Sequence, residues 1–529
     1  MFQLPRRSFL KSFGLAGLSF TLSPGLTLAR PAAPDLSTQQ LSGRVHAGGQ
    51  GLPGVAVTDG LTVVVTDAKG NYALTSNAAA EFVYISVPRG YAIPHEQGVA
   101  RFYRRKEASK GRFKADFELQ KLAQDDTRHN FIVWADPQMI SKADAQEFKA
   151  TAVPDTQKLV ASYGKDALFH GIGCGDLVWD HFELFEDYQQ GVAATGIPFF
   201  QVIGNHDMDL TARTDEGSSA TFRKLFGPTY YSFNRGAVHY VVLDDVFFIG
   251  AAKKYIGYLT EQQLSWLEQD LALVPKGSTV VVSLHIPAYT RQHLRDKQKE
   301  ESMGGVVSNR KELYRLLEPF TAHIMSGHTH FNEVLQTAPN VTEHVHGTVC
   351  GAWWTGPICT DGTPGGYGVY EVDGGNVKWY YKAIGKERSH QFRAYPKGTL
   401  PDRPNALLVN VWNYDPSWKV AWFEDGTRRG EMQQYAGLDP LSPDLADDAA
   451  TLADALVFDP PGPSCPPNTS GWSPPPPSTC SWPTFRPPPS RCASKSRTGS
   501  GRCTPIRSRR SVNPQQQPVL SSLARHLAG

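Results

Sequence analysis

Past residue 30, no stretch of the 529-residue chain is apolar for the length of a membrane span. No transmembrane segment is therefore expected in the mature form. Charge of one sign is missing too. The formal net charge is only +2, which gives no global pull toward nucleic acid or anionic membrane, and no nucleic-acid-specific binding is expected. Cysteine is scarce and odd in number. Of the 7, Cys465, Cys480, Cys492 and Cys503 fall in an aberrant tail, so Cys174, Cys350 and Cys359 remain and no redox compartment can be read from them. Cys174 lies on an apolar run and reads as a small buried residue, not a ligand. Acidic residues are absent after Asp459, and 13 of the 32 residues from Asp459 to Ser490 are proline. Such a tail cannot supply a packed segment. A disordered Pro-rich linker with a basic end has such a composition, but for this Pro/Arg-rich tail, residues 459–529, we favour a shifted reading frame. With GC-rich codons for Cys492 to Thr504, one permitted alternative is Arg-Val-Glu-Val-Ala-Asp-Arg-Phe-Gly-Pro-Val-His, a sensible strand and turn.

What is present begins with Arg6-Arg7-Ser8-Phe9-Leu10-Lys11, ahead of a weakly apolar run from Ser12 to Leu28. Gly14, Gly17, Pro24 and Gly25 suit that run to a signal peptide better than to a lasting membrane helix. The paired arginines resemble a twin-arginine export signal over residues 1–29. The resemblance implies the twin-arginine export machinery as a partner and a periplasmic or secreted bacterial protein.

Hydrophobic residues make up 40% and charged residues 20%, enough for a packed core, and the length allows roughly three or four domains. Residues 41–120 alternate β-branched runs with Gly, Asp and Asn turns, including a tight turn at Asp67 to Gly70. This predicts an N-terminal β-sandwich. From Asn130 the pattern changes. Strand-like runs (131–135, 168–174, 199–203, 238–243, 280–284 and 322–325) alternate with helical stretches near 155–163, 182–190, 260–273 and 311–316. This predicts an α/β domain over 128–350. Thr260-Glu261-Gln262-Gln263 reads as a capping box. Residues 351–458 are strand-like again and predict a C-terminal β-rich domain, with 369–372 and 377–381 paired through Asp373-Gly374-Gly375.

Five motifs occur in order, each at the end of an apolar run: Asp136-Pro137-Gln138, Gly175-Asp176, Gly204-Asn205-His206-Asp207, His285, and Gly327-His328-Thr329-His330. In open α/β sheets, ligands gather beyond the carboxyl ends of strands, so residues far apart in sequence can converge. Carboxylate, amide and imidazole donors in this mix suit two divalent ions bridged by one carboxylate, with Asp176 the natural bridge. Asn205 offers a neutral oxygen that leaves the cations able to hold an anionic phosphate. Asp207, next to His206, could hold its imidazole charged and oriented.

The ordered set, above all Gly-Asn-His-Asp followed by Gly-His-Thr-His, resembles the calcineurin-like metallophosphoesterase family over about residues 130–350. The flanking β regions look like the extra domains of a secreted branch. The resemblance implies a β-sandwich core flanked by helices and two divalent metal ions, Mn²⁺ or Fe²⁺ ahead of Zn²⁺. It implies a first metal on Asp136, Gln138, Asp176 and His330, and a second on Asp176, Asn205, His285 and His328. His206, backed by Asp207, would protonate the leaving group, and a hydroxide between the metals would attack phosphorus in line. The substrate would be a phosphorylated small molecule or polymer, as a mono- or diester. The alternative is a catalytically impaired exported binding protein on the same fold, favoured by one departure. The family motif is Asp-x-His, and Gln138 stands at its last position, a weaker ligand than imidazole. Position 179 is Trp, not the Tyr of purple acid phosphatases, so that subgroup is not expected.

Other residues carry weaker signals. His170, His239 and His323 read as packed core histidines, and His344 and His346 as residues on a solvated strand face. Asp244 and Asp245 read as turn or hydrogen-bonding groups. Trp353, Trp354, Trp179 and Asp180 lie close enough to the motifs to line a cleft.

Overall fold

A computed structural model describes residues 38–441 except 78–79, 107–110, 251–252, 401–402 and 438, together with the strand Ala455–Asp459. The expected signal peptide and nearly all of the Pro/Arg-rich tail lie outside the described residues. No helix among the described residues is long and apolar enough to cross a membrane.

Two sheets carry the centre of the molecule. The first is built on β1 (Arg128–Trp134), β2 (Phe169–Cys174) and β3 (Phe199–Val202), which run parallel. The second contains β4 (Tyr231–Arg235), β5 (Val238–Val242), β6 (Thr279–Ser283), β7 (Thr321–Ser326), β8 (Glu333–Ala338) and β9 (Val341–Val345), in the order β4-β5-β6-β7-β9-β8. The antiparallel hairpin β10 (Gly366–Asp373) and β11 (Asn376–Ala383) extends the first sheet, with Ile132 opposite Val369. The expected pairing through Asp373-Gly374-Gly375 is present, but the hairpin joins the sheet of β1 although the expected domain border at 350 precedes it.

Alternation along the strands explains the layering. Phe131 and Val133 of β1 and Val281 of β6 face one another in a core between the sheets. Ile132 and Trp134 point outward under the helices Lys142–Ala150, Ala152–Ser162 and Phe185–Thr195. Val280 and Val282 point outward under Glu261–Leu271 and Arg310–Leu317. A sandwich with helices outside both sheets results, as the α/β pattern and the resemblance implied. The parallel strands, covered on both sides, are buried almost throughout for that reason.

Helix ends follow local chemistry. Ser141 and Asp144 form a capping box at Lys142, not anticipated above although Ser-x-x-Asp is present. At Thr260 only half of the expected box forms. The Thr260 hydroxyl accepts from Gln263 N, while the Gln263 side chain instead bonds both backbone groups of Asp244.

The N-terminal strands form a five-stranded and a four-stranded sheet. Asp67 closes its turn by accepting from the backbone N–H groups of Lys69 and Asn71 at 2.9 and 2.8 Å. The module is not merely tethered. Leu41, Val57, Phe82 and Phe102 belong to the same buried cluster as Phe131 and Phe233. Val99 pairs parallel to Phe199 at the edge of the first sheet, and Val87 bridges to Phe233. After the hairpin come short two-stranded units, Phe392–Tyr395 with Leu408–Val411 and Ala421–Glu424 with Thr427–Glu431.

Candidate metal centre

All five motifs sit just beyond the carboxyl ends of β1, β2, β3, β6 and β7. Each chain must turn sharply there to aim its donors inward. Asp136, Gln138, Asp176, His328 and His330 all take left-handed backbone conformations, with φ of 48°, 35°, 49°, 69° and 60°. Such angles cost non-glycine residues energy and persist where the surroundings impose them, typically at functional sites. Here the turns lock one another. Gln138 N–H donates to the Asp176 carbonyl at 2.9 Å, and His328 N–H to the Asp136 carboxylate at 3.0 Å. His206 N–H donates to Asp176 Oδ1 at 2.9 Å. The preceding glycines make room: a Cβ at Gly204 would collide with Asp176, and one at Gly327 with the Asp136 carboxylate.

Donor atoms of Asp176, His285 and His328 all lie within 4.8 Å of one another. His285 Nε2 is 3.3 Å from Asp176 Oδ1 and 3.1 Å from Asn205 Oδ1. Its Nδ1 lies 3.0 Å from the Cys174 carbonyl, which holds the proton there and leaves Nε2 as a lone-pair donor, the usual arrangement of a metal-binding histidine. Asp245, 0% exposed, accepts from the backbone N–H groups of His285 and Ile286 and fixes this turn. That is the hydrogen-bonding role expected of it. Across from this set, His330 Nε2 is 3.5 Å from Asp136 Oδ1, and Gln138 Nε2 donates to Asp176 Oδ2 at 2.8 Å. The structure thus brings together all seven residues expected as ligands.

The electrostatics favour a cation. Burial works to raise the Asp176 carboxyl, but His285 and His206 beside it hold it below the usual range. For His285, burial works downward and is outweighed by Asp176 and Asp136, which lift it to about 10. Burial, then the charge of His285, presses His328 down to about 3. The carboxylates thus draw positive charge that the imidazoles supply only by protonation. Two buried polar atoms also lack a hydrogen-bond partner, Gln138 Oε1 and His330 Nδ1. Rotating the Gln138 amide by half a turn exchanges its oxygen and nitrogen and points the oxygen to the Asp176 side. The donor set therefore fits divalent metal, with amide oxygen, carboxylate and imidazole within reach.

His206 differs from expectation in its partner. Its Nδ1 lies 3.0 Å from Asp180 Oδ1, whose other oxygen takes Lys253 Nζ at 2.6 Å. Asp207, expected behind the imidazole, is turned inward. Fully buried, it accepts from the backbone N–H groups of Gly204, Leu177 and Val178 and ties the second and third motif loops together. The next residue in sequence cannot bend back to its neighbour's ring while meeting three backbone donors, and Asp180, from the adjoining loop, can. Trp179 lies over the imidazole with ring centres 4.4 Å apart, so it stands against His206 and is not in a ligand's place.

Trp353, 42% exposed, lies 4.9 Å from the His330 ring and 6.1 Å from Trp179, forming an aromatic rim. Trp354 instead donates from Nε1 to the Pro137 carbonyl and braces the first motif. His170, His239 and His323 are packed as expected, with His239 on Asp270 at 2.8 Å. His344 and His346 correct the sequence reading: both are buried, not solvated. β9 is interior to its sheet, and β10 covers it from the other side. His346 meets the Tyr370 hydroxyl at 2.7 Å, and His344 meets His323 at 3.1 Å. Cys174 is buried and donates to the Leu284 carbonyl. Two further residues reach the site without any local sequence pattern to mark them: Lys253, on Asp180, and Tyr255, whose ring centre is 5.9 Å from that of His328.

Three models of one family match in chain order. They are the N-terminal domain of calcineurin-like phosphoesterase over 39–122, the calcineurin-like phosphoesterase domain over 143–332, and the C-terminal domain over 343–457. Purple acid phosphatase 15 of Arabidopsis thaliana is 29% identical over 263 residues, 46% of this chain and 40% of that protein. The bovine serine/threonine-protein phosphatase CPPED1 (Bos taurus) is 30% identical over 171 residues, 30% of this chain and 52% of that protein. The chain thus spans about half the length of these relatives or less. A dimetal phosphatase from Danio rerio superposes with a TM-score of 0.33 at 13% identity, over 54% of this chain and 96% of its own, a likeness too loose to bear on the site.

Proposed function

The chain belongs to the calcineurin-like phosphoesterase family, and from that premise we propose that it is a metal-dependent phosphoric ester hydrolase acting on phosphate mono- or diesters. The observation that carries the reading is the approach of Asp176, His285 and His328 to within 4.8 Å, from three different strand ends. Asp136, Gln138, Asp176 and His330 would hold one ion, and Asp176, Asn205, His285 and His328 the other. When bound, such ions supply Lewis acidity and an activated water for in-line displacement at phosphorus. The chain's own groups do the rest. His206, with 21% of its side chain exposed, faces the site and can give a proton to the leaving oxygen. Asp180 and Lys253 hold the imidazole's other nitrogen, and the Trp179–Trp353 rim borders the opening.

Export by the twin-arginine route to the periplasm or beyond remains part of the proposal, as does a domain limit near 120; of the expected limit at 350, only the hairpin's membership in the first sheet departs. Metal-depleted protein lacking residues 1–29 should hydrolyse 4-nitrophenyl phosphate or bis(4-nitrophenyl) phosphate only after Mn²⁺, Fe²⁺ or Zn²⁺ is returned. Failure with every metal on both esters would overturn the reading.

A further inference from the structure

Two consecutive tryptophans, Trp353 and Trp354, take left-handed backbone conformations, with φ of 46° and 61°. Bulky residues rarely do, because Cβ then crowds the backbone, and such strain persists only where neighbours impose it. Here they do. Val349 N–H donates to the Ala135 carbonyl at 2.9 Å and Trp354 Nε1 to the Pro137 carbonyl at 2.8 Å, so the loop is pinned on either side of Asp136. Within the loop, Trp354 N–H reaches the Cys350 carbonyl at 2.9 Å and Thr355 N–H the Ala352 carbonyl at 2.8 Å. The bracing accounts for Trp354, whose ring also packs 6.2 Å from that of Phe148. It does not account for Trp353. Glycine would take a φ of 46° without strain, yet a large indole stands there, 42% exposed. Its ring lies 4.9 Å from His330 on one side and 6.1 Å from Trp179 on the other, and the Trp179 ring in turn covers His206 at 4.4 Å. The two indoles meet at 61° and form an open corner. One wall of the corner stands on an expected metal ligand, and the other on the residue placed to protonate the leaving oxygen.

We propose, resting on the hydrolase reading above, that Trp353 determines specificity, and that the corner it makes with Trp179 takes a planar aromatic group carried by the leaving alcohol. The substituent on the leaving oxygen departs on the side of His206, and Trp179 covers that side. An aromatic ring there can stack on one indole and present its edge to the other, the two arrangements that ring quadrupoles favour. A saturated ring of the same size buries similar apolar area without that match. A quaternary ammonium also suits aromatic faces. However, Asp180, the carboxylate next to Trp179, is already engaged by His206 and Lys253 at 3.0 and 2.6 Å and offers no free counter-charge. Aromatic pairing beyond area burial corresponds to a preference of about three- to tenfold for the flat ring.

The test compares phosphate esters of 2-phenylethanol, 2-cyclohexylethanol and 3-(trimethylammonio)propanol, each as a monoester and as a methyl diester, on the metal-loaded protein. The first two alcohols are of similar size and acidity, so their kcat/KM ratio reports recognition of the ring. The phenylethyl ester should be favoured by about three- to tenfold over the cyclohexylethyl ester, with the quaternary ester no better than the latter. Trp353→Phe should keep most of this ratio, whereas Trp353→Leu, bulky but not aromatic, should bring it toward one; metal analysis accompanies each variant. In the wild type, 2-phenylethylphosphonate should also inhibit at lower concentration than 2-cyclohexylethylphosphonate, a comparison that stands even if a variant fails to fold. A wild-type ratio near one, equal inhibition by the two phosphonates, a ratio as high in Trp353→Leu as in Trp353→Phe, or preference for the quaternary ester would overturn the inference. Metal-dependent turnover of nitrophenyl phosphates would leave the hydrolase reading standing in each of those cases. Absence of turnover on every ester would take down both.

Discussion

The two halves of the candidate metal centre are unequally prepared. Around His285, every donor already faces a common point: Nε2 is within 3.3 Å of both Asp176 and Asn205, and its other nitrogen is held by a carbonyl. Around Asp136 and His330, the third donor is an amide whose nitrogen currently meets Asp176 and whose oxygen meets nothing. One half is set by strands and backbone, and the other waits on a side-chain rotation. Preorganisation of a metal site is therefore a property of each ligand's own support, not of the motif list.

That contrast can be broken most severely at the shared residue. Asp176→Asn should lose both metals and all measurable turnover, whereas His285→Ala should lose one equivalent; metal analysis of the purified variants distinguishes them. His206→Ala should keep both metals while kcat falls by roughly 10²–10⁴, the usual contribution of a positioned general acid. The fall should be smaller with nitrophenolate than with an alkoxide leaving group, and equal losses on both would remove His206 from proton transfer. Asp180→Asn should act in the same direction but less, by about ten- to a hundredfold, as outer partners of site residues commonly do. Asp207→Asn should instead lower thermal stability by loosening the loops that Asp207 ties. The mildest change is Gln138→His. Imidazole binds borderline metals better than an amide does, so half-maximal activation should move to lower metal concentration. No change in metal dependence would show that Gln138 holds no metal.

Much of this was legible in the chain itself. The strand-like runs and the five motifs beyond them could be read because each motif follows an apolar run directly, three of them through a glycine. Three features could not be read. The exchange of Asp207 for Asp180 depends on which way a turn after β3 faces. The burial of His344 and His346 follows from β9 lying between its neighbours and beneath β10, a long-range fact. The pairing of Arg291 and Arg295 with Glu333, some forty residues later, joins segments that no local pattern connects. Strand ends are encoded nearby, whereas the partner of a charged side chain is chosen by tertiary packing.

The pairing of Val99 with Phe199, and of Val87 with Phe233, has a consequence for synthesis. The first module to leave the ribosome cannot complete its contacts until the chain has grown to about residue 233. At synthesis rates of roughly 5–20 residues per second that is a wait on the order of ten seconds. During it, one apolar face of the module and the backbone of its edge hairpin stay bare, which invites pairing with another chain. The same dependence runs in reverse for protein engineering. Expressing residues 128–350 alone would uncover Phe199, Phe200 and Phe233, and the catalytic unit should be produced with its leading module or not at all.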